Sequence, residues 1–203
     1  MELKERIIEG ASTLFFTHGI KSMTMSDIAN ELGISKRTLY EVFRDKEELL
    51  EMCISNHIDK ANREIEKIIA SSEDVIEIIM RIYAKHLLET QNINTSLIHD
   101  LKKYHLSIYK KTEANKQDDT KRFVPLFQKG IEQGLIRKDA NIEIITWLLR
   151  SQFKALMEDN YIPVDKYSPN EVIRTIILTS IRGVATAAGI DKVDKITANM
   201  NEK

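Results

Sequence analysis

The chain has 203 residues with 30 Lys and Arg against 31 Asp and Glu, a net charge of −1 and a hydrophobic share of 42%. That is enough apolar material for a real core, which excludes an intrinsically disordered chain, and the charge balance excludes a histone-like coating protein. One cysteine, Cys53, cannot close an internal disulfide, 7 Gly and 3 Pro give little turn punctuation, and no apolar run reaches membrane-spanning length.

Strand signals are nearly absent, so the expectation is an all-α protein of about nine helices. The start, "MELKERIIEG", is charged and amphipathic rather than a signal peptide, so a reducing cytoplasm is the expected setting, with no membrane partner. Ile7, Ile8, Ala11, Leu14 and Phe15 step by three and four, which predicts a helix over 3–17 ending near Gly19. Thr24, with Asp27 three residues on, reads as a capping box for a short helix that Gly33 stops. Ser35 caps a third helix running to about Val42, and Asp45 with Glu48 caps a fourth running to about Ala70, about 35 Å long. "SSED" caps a fifth. Residues 93–111 read as helical, "TEANKQDDTKR" is polar, and Pro125 is expected to start or kink the next helix. After the turn "GLIRKDAN", capped by Asn141, two strongly apolar helices over 142–158 and 170–188 close the chain.

The stretch "GISKRTLYEVFRDK", residues 33–46, concentrates cations in a near-neutral chain. At about 100° per residue, Leu39, Val42 and Phe43 fall on one arc and Lys36, Arg37, Tyr40 and Arg44 on the other. A charge cluster alone is commonly a solvated face. Here it follows a short helix, a glycine turn of three residues and a capped helix start, the signature of a helix-turn-helix whose second helix enters the DNA major groove. Gly33 can take positive φ, and Ser35 and Thr38 offer hydroxyls to phosphates or base edges. Lys36 and Arg37 can reach guanine or phosphate, and Tyr40 can donate to phosphate. Lys46, at the positive end of the next helix, suits a second phosphate clamp.

The run "TMSDIANELGISKRTLYEVFRDKEELL", within a match over residues 5 to about 52, resembles the DNA-binding domain of the tetracycline-repressor (TetR) family. The resemblance implies DNA contacts at Thr24, Ser35, Lys36, Arg37, Thr38, Tyr40 and Lys46. It also implies a helix-turn-helix domain over 1–50 and a larger helical domain over 51–203 for effector binding and dimerisation. The sequence departs from the family pattern at Gly10, where alanine is usual, and at Glu41 and Val42, where aromatic residues or histidine are common.

The last two helices are apolar on more than one face, as expected for a four-helix bundle between two chains, with Ile145, Leu149, Phe153, Ile173, Ile177, Ile181 and Val184 as interface candidates and burial within one subunit as the alternative. Met80, Tyr83, His86, Tyr104, Trp147 and Met157 are candidates for a pocket holding a moderately apolar small organic effector, although such residues are more often packing. The five histidines form no i,i+4 pair, and no nucleophile elbow, phosphate loop or dinucleotide fingerprint is present, so no metal, cofactor or catalytic residue is expected. The expected function is a dimeric, ligand-responsive transcriptional repressor on a palindromic double-stranded DNA operator. The alternatives are a helical DNA-binding scaffold without effector, or an all-α enzyme.

Overall fold

A computed structural model describes residues 2–90, 96–117, 119–158 and 166–201. Eleven helices occur among them: α1 (Leu3–His18), α2 (Met25–Glu31), α3 (Lys36–Val42), α4 (Lys46–Ala70), α5 (Val75–Thr90), α6 (Ser96–Tyr104), α7 (Leu106–Gln117), α8 (Asp119–Glu132), α9 (Ile142–Glu158), α10 (Pro169–Val184) and α11 (Ala187–Asn201). The described residues hold no strand, only a single antiparallel bridge between Ile136 and Ala185. The all-α expectation holds.

Two compact units share the chain. The first comprises residues 1–64 and 92–115 and the second residues 65–91 and 116–203. The division expected at residue 50 follows the helix-turn-helix motif, whereas the first packing unit also takes in most of α4, α6 and most of α7.

In the first unit, the apolar stripe of α1 (Ile7, Ile8, Ala11, Phe15) meets Ile28 and Ala29 of α2, Leu39 and Phe43 at the end of α3, and Leu49, Leu50 and Cys53 of α4. Leu97 and Leu101 of α6 and Ile108 of α7 complete this core. Cys53 is fully buried, with its Sγ 3.5 Å from the Ile8 carbonyl, and burial pushes the thiol up to about 11. Gly10 answers its own departure from the family pattern. A Cβ there would run into Cδ2 of Leu32, the residue that ends α2, so the missing methyl lets α1 lie close to the turn.

In the second unit, α5 packs with α8, α10 and α11, α8 with α9, and α9 and α11 with α10. Its core holds Ile76, Met80, Tyr83, Phe127, Ile142, Ile173, Ile181, Val184 and Val193. A smaller cluster joins Ile65, Val75, Ile78, Ile82 and Leu126.

Three sequence expectations change. Of the helical stretch expected over 93–111, residues 93–95 lie outside the described residues, and the rest is two helices, broken at His105. Pro125 does not start its helix: α8 begins six residues earlier and carries the proline inside, with Leu126 and Phe127 buried beside it. Their burial compensates the backbone hydrogen bond that a proline removes. The helix expected over 170–188 ends at Val184, and α11 begins at Ala187. The break is built by Thr186, whose hydroxyl accepts the Gly189 N–H at 3.2 Å as a cap and donates to the Gly134 carbonyl at 2.7 Å. Backbone bonds from Arg137 to Val184 (2.8 Å) and from Thr186 to Leu135 (3.0 Å) knit the break to the turn after α8.

Candidate nucleic-acid interface

α2 and α3 are set at an angle by a turn made of local chemistry. Thr24 and Asp27 form a full capping box: the Asp27 N–H donates to the Thr24 hydroxyl oxygen at 3.2 Å, and the Thr24 N–H donates to the carboxylate at 2.9 Å. The hydroxyl also donates to that carboxylate at 2.6 Å, and these bonds hold Asp27 below its ordinary value of 3.8. Gly33 has φ of 63°, the left-handed conformation that lets the chain turn at once, and the Ile34 N–H returns to the Ala29 carbonyl at 3.0 Å.

Ser35 then caps α3 by accepting the Thr38 N–H at 3.0 Å, while the two hydroxyls lie 2.8 Å apart. Leu39 and Phe43 face the core, at 0% and 1% exposure. Lys36, Arg37 and Tyr40 are exposed, and Thr38 is half-buried. The Lys36 ammonium sits over the Tyr40 ring, 5.9 Å from its centre. The Nε of Arg37 donates to Glu41 at 2.9 Å, so the residue that departs from the family pattern partly neutralises the exposed guanidinium beside it. Asp45 accepts the Glu48 N–H at 2.8 Å and the Nε of Arg44 at 2.8 Å, and both bonds hold its pKa below the ordinary carboxylate value.

Thr24, Ser35, Lys36, Arg37, Thr38 and Tyr40 thus lie on α3 or on the caps of α2 and α3. Lys46 differs. It is half-buried, its ammonium donates to the Ile20 carbonyl at 2.6 Å, and desolvation lowers its pKa against the pull of Asp100 and Asp27.

The pocket candidates do not converge. Met80 and Tyr83 lie in the core of the second unit, and the buried Tyr83 hydroxyl, with no hydrogen-bond partner, is pushed up to about 12. His86 is exposed, its ring 6.3 Å from that of Phe153. Tyr104 belongs to the first unit, half exposed between the ammonium groups of Lys21 and Lys103. Trp147 is 63% exposed, and the side chain of Met157 lies outside the described residues. Tyr104 and Trp147 therefore do not surround a core: the faces of α6 and α9 that carry them point outward. The apolar cavity among Ile79, Phe127, Ile145, Leu149, Ile177 and Ile181 measures about 20 Å³, the size of one water.

The interface candidates shift as well. Ile173, Ile181 and Val184 are interior residues of the second unit, and Ile145, Phe153 and Ile177 are half-buried against the same cluster, because α10 packs on both α5 and α9; Leu149 is half-buried beside the small cavity described above. The apolar face left open on α9 is Ile144, Trp147 and Leu148, at 54%, 63% and 41% exposure. Their spacing of three and four was readable in the sequence. Asp100, buried on α6, gave no such signal.

Residues 7–53 match the family model of bacterial regulatory proteins, tetR family. The HTH-type transcriptional repressor KstR2 of Mycolicibacterium smegmatis is 21% identical over 170 residues, which cover 82% of this chain and 80% of that one. The uncharacterized HTH-type transcriptional regulator YvaF of Bacillus subtilis is 25% identical over 165 residues, 80% of this chain and 86% of its own. A TetR-family regulator of Agrobacterium tumefaciens superposes with a TM-score of 0.73 at 14% identity, over 90% of this chain and 97% of its own, and shares the fold. With its capped turn, its cationic α3 and the tetR-family match over residues 7–53, the chain is a TetR-like DNA-binding transcriptional regulator.

Proposed function

We propose that the protein is a ligand-responsive repressor that binds a palindromic operator as a homodimer, works in the cytoplasm and carries out no catalysis. The observation that carries this reading is the split character of α3: Leu39 and Phe43 buried, Lys36, Arg37 and Tyr40 exposed at the end where Ser35 leaves backbone N–H groups pointing outward. A helix start of that kind favours phosphate, and the Lys36 ammonium and the planar fork of Arg37 suit guanine. Thr24, Ser35, Thr38 and Tyr40 supply phosphate or base-edge bonds around them. Lys46 reaches a phosphate only by leaving the Ile20 carbonyl.

Dimerisation through α9 and α10 is supported by the open stripe Ile144, Trp147 and Leu148, too large an apolar surface to leave to water on a helix whose other side is already packed. A two-fold dimer presents its α3 helices to half-sites about 34–36 Å apart or a multiple of that spacing. An effector in the second unit represses or releases by shifting the population between dimers that match this spacing and dimers that do not.

A second reading, a DNA-binding protein without effector, is favoured by the water-sized volume of the apolar cavity at Ile79 and Ile181, whereas an open cleft of about 280 Å³ lined by Arg137, Asn141, Leu148 and Gln152 favours the first. Selection of bound duplexes from a random DNA pool tests the main reading. Enrichment of an inverted repeat is expected, and enrichment of no repeat sinks it. Thermal shifts with a library of small organic compounds then separate the two readings, since only an effector-binding protein gains stability from one of them.

A further inference from the structure

We propose that Asp100, on α6, is a positioning residue for DNA binding that sets the starts of α2 and α4 by gripping the single peptide group between Ile20 and Lys21. The proposal rests on the DNA-binding reading above.

The turn after α1 cannot serve this peptide with helical partners, since Gly19 leaves the helix at φ 85° and α2 begins only at Met25. Within the turn only the Met23 N–H reaches it, at a long 3.4 Å from the Ile20 carbonyl, and its two polar atoms are taken mainly by side chains from far along the chain. The Ile20 carbonyl accepts the Lys46 ammonium at 2.6 Å, and the Lys21 N–H donates to Oδ2 of Asp100 at 3.3 Å, across 79 positions. Asp100 is only 7% exposed and its neighbours on α6, Leu97 and Leu101, are buried at 2% in the core that holds Phe15 and Ile20. A carboxylate so placed is costly unless bonded and faced by positive charge. The N–H supplies the bond, and the attraction between Asp100 and Lys46 supplies the charge.

The grip has directional consequences. Lys46 is the first residue of α4, and Thr24, three residues beyond Lys21, caps α2. One peptide therefore ties α6 to the starts of two helices that flank α3. One further polar link reaches α4 from the helix that follows α6: Lys111 of α7 pairs with Glu51. Asp100 touches no DNA in this arrangement. Its effect on binding passes through the turn.

The experiment uses the full chain, the selected operator, and two variants. Asp100→Ala removes both the acceptor and the charge. Asp100→Asn keeps an acceptor for the Lys21 N–H and removes only the charge. Asp100→Ala is expected to weaken operator binding about tenfold, the scale of one lost buried hydrogen bond, at every salt concentration, leaving the slope of log K against log salt unchanged. Hydrogen exchange at the Lys21 amide, read without DNA, should quicken in Asp100→Ala and stay slow in Asp100→Asn. A folded Asp100→Ala protein with wild-type affinity overturns the proposal, as does a slope that falls by about one, which would mark a lost phosphate contact. If Asp100→Ala does not fold, Asp100→Asn decides: about threefold weaker binding, from loss of the charge that holds Lys46 on the Ile20 carbonyl, supports the proposal, and unchanged or tighter binding overturns it. Failure to select any operator for the wild type is a different result, and it removes the regulator reading rather than the grip, which the Lys21 exchange still reports.

Discussion

Glu41 shows how one side chain can set the field of a recognition surface. Its pair with Arg37 at 2.9 Å is exposed, 59% and 89% at the two side chains, so it contributes little to stability. Its weight lies in charge: it holds a negative group on the face meant for phosphates. Glu41→Gln is expected to tighten binding a few-fold on the selected operator and on random DNA alike, the mark of relieved repulsion. Titration of both duplexes checks this; weakening confined to the operator would mean instead that the carboxylate orients Arg37 for a base. At this scale most of the surface was legible. Caps announce themselves in sequence because their partners lie within three or four positions, and Thr24, Ser35 and Asp45 each accept the bond expected of them. Lys46 was legible only in part, since its partner is a backbone carbonyl 26 residues away.

The elements tell where periodicity stops carrying information. Helix starts with caps and continuous apolar stripes were placed to within a residue or two, α1 to α4 above all. The break between α10 and α11 escaped because the residues across it, Val184, Ala185, Ala187 and Ala188, continue an apolar run, while the reason to stop lies in the turn after α8. Gly189 is the other half of that join. A Cβ on it would strike the Leu135 carbonyl oxygen, a backbone atom already accepting the Thr186 N–H, and would press on the Cβ of Ala185. Gly189→Ala, which raises helix propensity in isolation, should therefore destabilise the protein by roughly 1–3 kcal/mol, as overpacking does. A thermal melt at or above the wild-type midpoint would show that the join can yield.

For the whole molecule the distinction that matters is between apolar faces used inside one chain and those left over. Sequence marks a helix as apolar on two sides without saying which side its own chain covers. Hence the apolar pattern points to Ile173, Ile181 and Val184, buried at 0–3%, as interface and does not single out Ile144 and Trp147 for that role. The difference governs how assembly is tested. A charge at Ile177, half-buried in the core, would unfold the second unit and say nothing about pairing. Trp147→Asp places the charge on an exposed side chain and is expected to yield folded monomers that bind a half-site but not a full operator. Sedimentation as a dimer would place the interface on another face.

The burial of Cys53 gives the protein a latent reporter. It is the only thiol in the chain, fully enclosed by the first unit, and a thiol raised to about 11 is ionised in only about one molecule in ten thousand at neutral pH. Alkylating reagents can therefore reach a competent thiolate only in molecules whose α1–α4 core has come apart. The rate of labelling becomes a clock for that opening event, and its slowing when duplex DNA is added would measure how tightly a bound partner holds the unit shut.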